Sequence, residues 1–545
     1  LGLAGKRVAV IGENRYEWCL AHVAVTNGLG VSVPLDRMLP EGEVLGLLER
    51  GEASAVVYSP AFQKTMEAAA ESLASVRFFI CMDAAKVKDP RVPFTPAGRF
   101  QDLAPIVSTG RTLLLGGDRA YLDAPIDSDV LSSLLFTSGT TSASKAVMLS
   151  HHNVCADIRG MCSMLELRPG HRMLSVLPLH HTFENTCGLM TALAIGACIY
   201  ECDGLRHIQK NMQEFGISLI IGVPVLFENF YTKVQETLKK TKKETFVRVA
   251  IGVSNFLRIF GLDLRRKLFS KIHDAFGGRL SIGICGAAPI DPAIIRFFSD
   301  IGIMIYQGYG LTETAPVVTG CNSRIFYPGT VGHPVGGVDI AVDSEVRGAP
   351  GEILVRGPIV MLGYYKDEKA TAEVLHDGWF HTGDIGTLDR KERLTVTGRL
   401  KSMIVLPNGK KIFPEEIEQL IGHHSSLVKE TMVWGELVRD GDVEVCARFV
   451  LNKEELLKLI GETLDDLEIR RTLENLVKEI NARMPSFKAI RYFVFGFEEM
   501  VKTTTLKIKR PVEITRIHDL MAAASLQLRE ITGRNIDPLM DASGL

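Results

Sequence analysis

Short apolar runs alternate with amphipathic stretches over the first part of the chain. Residues 7–11, 31–34, 55–58 and 78–81 are apolar runs too short for helices and read as strands. Between them, residues 14–27, 41–50 and 63–73 carry apolar side chains at helical spacing. This β-α-β rhythm predicts a parallel sheet with helices on both faces. A loop-like stretch covers about 83–129. The rhythm then resumes, with strand candidates at 132–137, 174–177, 219–223, 280–285 and 304–306. Residues 189–200 are the best candidate for a membrane span but fall short of the roughly 18 to 20 apolar residues one needs. Their Gly and Ala content reads as a buried helix leading into a strand.

The texture changes after about residue 328. Gly, Pro and short alternations, as in GEILVRG (351–357), predict antiparallel β structure through residue 399. From about 401, strands mix with charged helices, notably at 454–480, as in a separate small α+β domain. The fold class expected is α/β: a large N-terminal domain of parallel α/β subdomains plus a β-rich subdomain, then a small α+β C-terminal domain. The boundary is placed between 398 and 399.

Composition narrows the function. At 545 residues the chain has room for three or four folding units, and its 46% hydrophobic content supports a large core. A net charge of −2 argues against a nucleic-acid binder, which would carry a basic stripe. The 10 cysteines form no C-x-x-C pair, and buried reduced thiols are expected rather than disulfides. The histidine pairs at 151–152, 180–181 and 423–424 are adjacent, not at the i, i+4 spacing that puts two ligands on one helix face, so no histidine metal site is expected. The chain opens at Leu1 and reaches a strand by Val8, so further residues are expected upstream.

Four stretches carry candidate chemistry. In FTSGTTSASKAVMLSH (136–151), an apolar strand runs into hydroxyls, one Gly and one Lys. Backbone N–H groups and hydroxyls there can cradle phosphate oxygens, with Lys145 as a point charge. A plain Ser/Thr turn has the same composition, and no second Gly precedes Lys145 as a Walker loop requires. In YQGYGLTE (306–313), a strand ends in Gly-Tyr-Gly and presents Thr312 and Glu313 where ligands of open α/β sheets sit. Tyr309 could stack on a base and Glu313 could hold a magnesium ion. The plainer reading is a Gly-rich turn with Thr312 as N-cap. In WFHTGD (379–384), an acid after a strand suits two ribose hydroxyls, with Arg399 close behind. In TTTLKIKR (503–510), Thr505, Lys507 and Lys509 share one strand face, so periodicity does not choose between the lysines.

In this order and spacing, the four stretches resemble the adenylate-forming superfamily of acyl-CoA synthetases, nonribosomal adenylation domains and luciferases. The resemblance runs over almost the whole chain. LPLHHTFE (177–184) and GRLKSMIVLPNGKKIFPEEIE (398–418) look like bacterial long-chain fatty-acid–CoA ligases.

The resemblance implies a two-step reaction. A carboxylate attacks the α-phosphate of ATP to give acyl-AMP and pyrophosphate; the thiol of coenzyme A then displaces AMP. The first step brings an anion to a polyanion. Two unit charges about 4 Å apart interact by about 1 kcal/mol in water and about 4 kcal/mol at an effective dielectric of 20, so counter-charge is required. By resemblance, Thr137, Ser138, Gly139, Thr140, Thr141 and Lys145 hold the β- and γ-phosphates. Gly286, Ala287 and Tyr309 frame the adenine, Thr312 touches the α-phosphate, and Asp384 and Arg399 bind the ribose. Glu313 carries Mg2+, Lys507 is the adenylation lysine, His181 sits near the acyl carboxylate, and Phe227 gates the acyl tunnel. For His181 and Phe227, plain core packing is the competing reading. The C-terminal domain is expected to be mobile, rotating between half-reactions about a hinge near Ser402.

Ser142, Ser144 and Ala146 stand where the family pattern has Gly, Pro and Gly; a backbone needing positive φ would strain Ser142 and Ala146. Ser402 and Thr504 also depart from the pattern. The partners implied are small molecules (fatty acid, ATP, coenzyme A) and no nucleic acid. The location implied is cytoplasmic, with peripheral membrane contact open because a long-chain acid partitions into lipid. A ligase that loads a carrier protein or takes a shorter or aryl acid fits the same motifs. So does a non-catalytic nucleotide- or acyl-binding relative, except that it has no need of Lys507.

Overall fold

A computed structural model describes residues 1–87, 98–137, 144–438, 442–461, 465–503 and 507–543, with the backbone alone at 541–543. The first sheet has eight strands, in the spatial order Gly363–Tyr364, Lys145–Ser150, Leu131–Thr137, Val31–Leu35, Arg7–Ile11, Ala55–Tyr58, Phe78–Cys81 and Phe100–Asp102. All pair in parallel except Lys145–Ser150, which is antiparallel to both neighbours. Strands covered by helices on both faces need no polar alternation, and Ala55–Tyr58 is buried at every position.

The second sheet has seven strands. Cys198–Glu201, Arg172–Ser175, Leu219–Gly222, Ile282–Cys285 and Met304–Gly310 are parallel neighbours. Val317–Gly320 and His333–Pro334 add an antiparallel edge. The β-rich subdomain is the expected antiparallel sheet, with Trp379–Leu388 paired to Gly351–Arg356 on one side and Leu394–Arg399 on the other. In the C-terminal domain Val428–Leu437, Val443–Leu451 and Ile490–Gly496 form a three-stranded sheet. At its centre Arg448 and Glu513, both fully buried, form an ion pair.

The structure departs from the pattern reading in four places. The loop-like stretch holds a strand, Phe100–Asp102, and a helix, Leu103–Leu115. Its Ser, Thr, Gly and Pro content hid the helix, which buries only Leu103. Pro105 falls in the first turn, where no N–H is required, and the Asp102 carboxylate accepts from the backbone N–H of Ala104. The helix expected at 14–27 is regular only over Tyr16–Ala24 and widens into a π turn, Val25–Leu29. The helix at 454–480 is two, Lys453–Ile460 and Asp466–Asn481, parted after Gly461, whose φ of +96° ends the first. Finally, Asp384 lies inside a strand rather than after one. The ten cysteines are unpaired: five are buried, but Cys155 and Cys198 are exposed, so burial does not hold for all of them.

Candidate active site

The sheets converge on one group of polar side chains. Met304–Gly310 delivers Tyr309, and the short 3-10 turn Thr312–Thr314 that follows delivers Thr312 and Glu313. Thr312 is the first residue of that turn and Leu311 its N-cap, so the plain capping reading of Thr312 falls. The Tyr309 hydroxyl donates to Oδ2 of Asp384 at 2.9 Å. Asp384 and Arg399 are register partners on paired strands, and Arg399 Nε lies 2.9 Å from Oδ1 of Asp384. A register irregularity lies just past this pair, between Ile385 and Gly386. Asp384 is nearly buried while Arg399 is half exposed. The backbone N–H of Asp384 donates to Thr382 Oγ1 at 3.1 Å, fixing the turn of the acid.

Glu313 is held by a residue that sequence reading missed. The Tyr364 hydroxyl donates to Oε1 of Glu313 at 2.9 Å, and the same ring carries the Lys145 ammonium on its face, 4.4 Å from the centroid. Tyr364 sits in the two-residue edge strand Gly363–Tyr364 beside Lys145–Ser150. No periodicity or motif marks it; only the sheet edge brings it to both charges. Ser138, Gly139, Thr140, Thr141 and Ser142 lie outside the described residues. Thr137 and Lys145 flank them as register partners, and the Thr137 hydroxyl donates to the Lys145 carbonyl at 3.3 Å. Arg50 donates to the hydroxyl of Ser144 at 3.0 Å. Ala146 is buried strand, paired with Phe136, and is not among the positive-φ residues, so the strain expected there does not arise.

Lys507 is the lysine brought to this group. It is exposed as a residue, yet protein crowds its ammonium; that crowding and then Arg399 lower its pKa to about 8, against the pull of Asp384 and Glu313. The backbone N–H of Lys509 donates to the carbonyl of Val501 at 2.8 Å. Thr505 lies outside the described residues. His181 lies near enough to Lys507 to feel its charge. Burial first, then His180 and Lys507, push its pKa down to about 3. The backbone N–H of Phe183 donates to Nδ1 of His181 at 3.2 Å, so the neutral ring carries its proton on Nε2.

Gly286 follows the strand Ile282–Cys285; a Cβ there would come within 2.9 Å of the Phe183 ring, so only Gly lets the backbone approach. Ala287 has φ +72°. Phe227, in the helix Pro224–Lys240, is buried and packs over Gly222 and Gly283, whose Cβ positions its ring occupies at 3.2 and 2.8 Å. Ser402 ends the 3-10 turn Leu400–Ser402, within reach of Glu415, which in turn pairs with Arg510. Among the described residues, no helix is long and apolar enough to cross a membrane.

Residues 2–365 match the family model of AMP-binding enzymes, and residues 401–511 match that of the AMP-binding enzyme C-terminal domain. A long-chain-fatty-acid–CoA ligase of Mycobacterium bovis is 27% identical over 540 residues, covering 93% of this chain and 86% of that one. A chloroplastic long-chain-fatty-acid–[acyl-carrier-protein] ligase of Arabidopsis thaliana is 26% identical over 594 residues, covering 94% and 78%. The crystal structure of ATP-bound MatB from Rhodopseudomonas palustris has the same fold, with a TM-score of 0.70 at 23% identity over 95% of this chain and 90% of that one.

Proposed function

The chain belongs to the AMP-binding enzymes, the adenylate-forming superfamily, and on that premise we propose that it activates a long-chain fatty acid with ATP and passes the acyl group to coenzyme A. The observation that carries the reading is Lys507 standing among His181, Glu313, Asp384 and Arg399. A cation there offsets the repulsion between an incoming carboxylate and the α-phosphate. The carboxylate oxygen bonds to the α-phosphorus as the bond to pyrophosphate breaks. In the second step the coenzyme A thiol loses its proton, its sulfur bonds to the acyl carbon, and AMP leaves.

In this reading Asp384 accepts both ribose hydroxyls, with Tyr309 and Arg399 holding its two oxygens in place. Gly286, Ala287 and Tyr309 frame the adenine, Thr312 meets the α-phosphate, and Thr137, Lys145 and the residues between them take the β- and γ-phosphates. His181, neutral with its proton on Nε2, offers a hydrogen bond to the acyl carboxylate without a second fixed charge. Phe227 closes the acyl end.

Glu313 suits Mg2+. Its oxygen donors match a hard cation, and the Tyr364 bond fixes one oxygen and leaves the other outside that bond. No group of three or more candidate metal ligands occurs among the described residues. When bound, the ion would offset phosphate charge. The C-terminal part beyond residue 398 is the mobile domain, turning about Ser402 to present another face for the thiol step.

Pyrophosphate release with ATP and magnesium, measured across acids from acetate to a long-chain acid, tests this. Release rising with chain length and a thioester formed only with coenzyme A are expected. Release without a thioester shifts the acceptor to a carrier protein, a reading favoured by the Arabidopsis relative. No release with any acid, from folded protein, overturns catalysis and leaves a binding protein.

A further inference from the structure

The helix Glu244–Ile259 buries one face and exposes another that is equally apolar. Val247 and Ser254 are buried, Ala250 and Ile251 pack on the core, and the Asn255 amide donates to Asp300 at 2.9 Å, fixing the helix on the body. On the outer side Phe246, Val249, Val253, Phe256 and Phe260 recur at helical spacing and are each more than half exposed. The rings of Phe256 and Phe260 meet edge to face at 5.2 Å. Leu262, 55% exposed, continues the stripe into the next turn. Isolated exposed apolar residues need no explanation, but a continuous stripe on an anchored helix marks a contact surface.

The surrounding charge selects the partner. From Lys239 to Lys267 the chain carries nine Lys and Arg against two acids, Glu244 and Asp263, in a protein whose net charge is −2. Asp263 is taken up by Arg265. Lys239, Lys240, Lys242, Lys243 and Arg248 are exposed around the near end of the stripe. A second copy docking through this face would bring two cationic rims together. An apolar stripe within a basic rim matches a bilayer, where acyl chains lie beneath anionic headgroups.

We propose that the helix Glu244–Ile259 and the turn after it dock this protein on an anionic lipid surface, the aromatic and aliphatic stripe entering the acyl boundary and the lysines meeting the headgroup phosphates. The docking does not depend on which acid the enzyme takes.

Flotation of the full chain with vesicles tests it. The protein is expected to float with phosphatidylglycerol–phosphatidylcholine vesicles, to stay behind with pure phosphatidylcholine vesicles, and to be released by added salt. Val253→Glu with Phe256→Glu lowers the bound fraction about tenfold at an unchanged melting temperature. Lys242→Glu with Lys243→Glu weakens binding to the anionic vesicles at an unchanged melting temperature. Leu437→Glu, an exposed residue of the C-terminal domain, leaves binding unchanged. Three results overturn the proposal: wild-type protein that does not float with anionic vesicles, a stripe variant that floats as wild type does, or a dimer in gel filtration that the stripe variant dissociates while vesicles are ignored. Pyrophosphate release is scored separately, without lipid, so a failure of docking is distinguishable from a failure of the catalytic reading.

Discussion

Tyr364 and Glu313, 51 residues apart in sequence, meet through a 2.9 Å hydrogen bond, and the same tyrosine ring lies under Lys145. One side chain therefore positions both a candidate phosphate cation and a candidate metal ligand. A hydrogen bond to a charged group contributes about 1.5–3 kcal/mol. Tyr364→Phe keeps the ring under Lys145 and loses only the bond to Glu313, so kcat/KM for pyrophosphate release should fall about tenfold, which corresponds to about 1.4 kcal/mol. Tyr364→Ala also releases Lys145 and should fall further. Wild-type kinetics for Tyr364→Phe would remove Tyr364 from the site.

Lys507 gives the pH dependence a direction. Its pKa is lowered to about 8, so the charge proposed to serve adenylation is present below that pH and lost as pH rises through it. The profile of kcat/KM reports the free enzyme, and it should decline on the alkaline side near pH 8. Lys507→Arg keeps the charge at every accessible pH. Whatever activity the arginine enzyme retains should show no alkaline decline. An identical decline in both enzymes assigns the titration to another group.

A second titration acts on stability. Glu184 is fully buried, and neither carboxylate oxygen makes a well-formed hydrogen bond among the described residues, Ser175 and the backbone of Leu177 offering only weak compensation. Burial raises its pKa to about 8 from an ordinary carboxylate value near 4.5. Between those values the folded chain holds a proton that the unfolded chain has released. Stability is thus full below about pH 4.5 and falls as pH rises, by up to about 1.4 kcal/mol per pH unit, until the folded pKa is passed. Glu184→Gln stays neutral throughout. Its melting temperature should match wild type at pH 4.5 and exceed it increasingly toward pH 8; a gap that does not grow with pH refutes the account.

The C-terminal domain rests on a charge pair in its core. Arg448 and Glu513 are both fully buried, and the backbone N–H of Val501 also donates to Glu513, at 2.7 Å. Removing Arg448 leaves Glu513 buried with only Arg516, 3.3 Å from its other oxygen, as a cationic partner, so Arg448→Met should destabilise the domain by up to about 3–5 kcal/mol. Replacing both with apolar residues should recover much of that loss. Limited proteolysis of residues beyond 400 together with denaturant midpoints would measure both variants, and an Arg448→Met chain as stable as wild type would contradict the assignment.

The sequence made the parallel sheets legible because doubly covered strands are unbroken apolar runs, and the β-rich subdomain because its alternation is bounded by Gly and Pro. It missed the helix Leu103–Leu115, which buries too little for a periodic signal. For the site, motif order led to Tyr309, Glu313, Asp384, Arg399 and Lys507, and the other four all interact electrostatically with Arg399. Tyr364 and Thr382 were illegible because they act through sheet edges and backbone turns rather than through any pattern along the chain. Alternation alone puts Lys507 and Lys509 on one face, so the choice of Lys507 came from the family motif and not from periodicity.

The irregularity beside Asp384 makes the candidate ribose site a matter of counting. Trp379–Leu388 and Leu394–Arg399 pair evenly from Leu388 and Leu394 to Gly386 and Val396, then skip Thr397, whose hydroxyl donates to the Ile385 carbonyl. Even pairing carried one step further would set Thr397 against Ile385 and Gly398 against Asp384. The acid would then face a residue with no side chain, and Arg399 would fall opposite Gly383. A slip of one residue in this hairpin would thus separate the two charges with every amino acid unchanged.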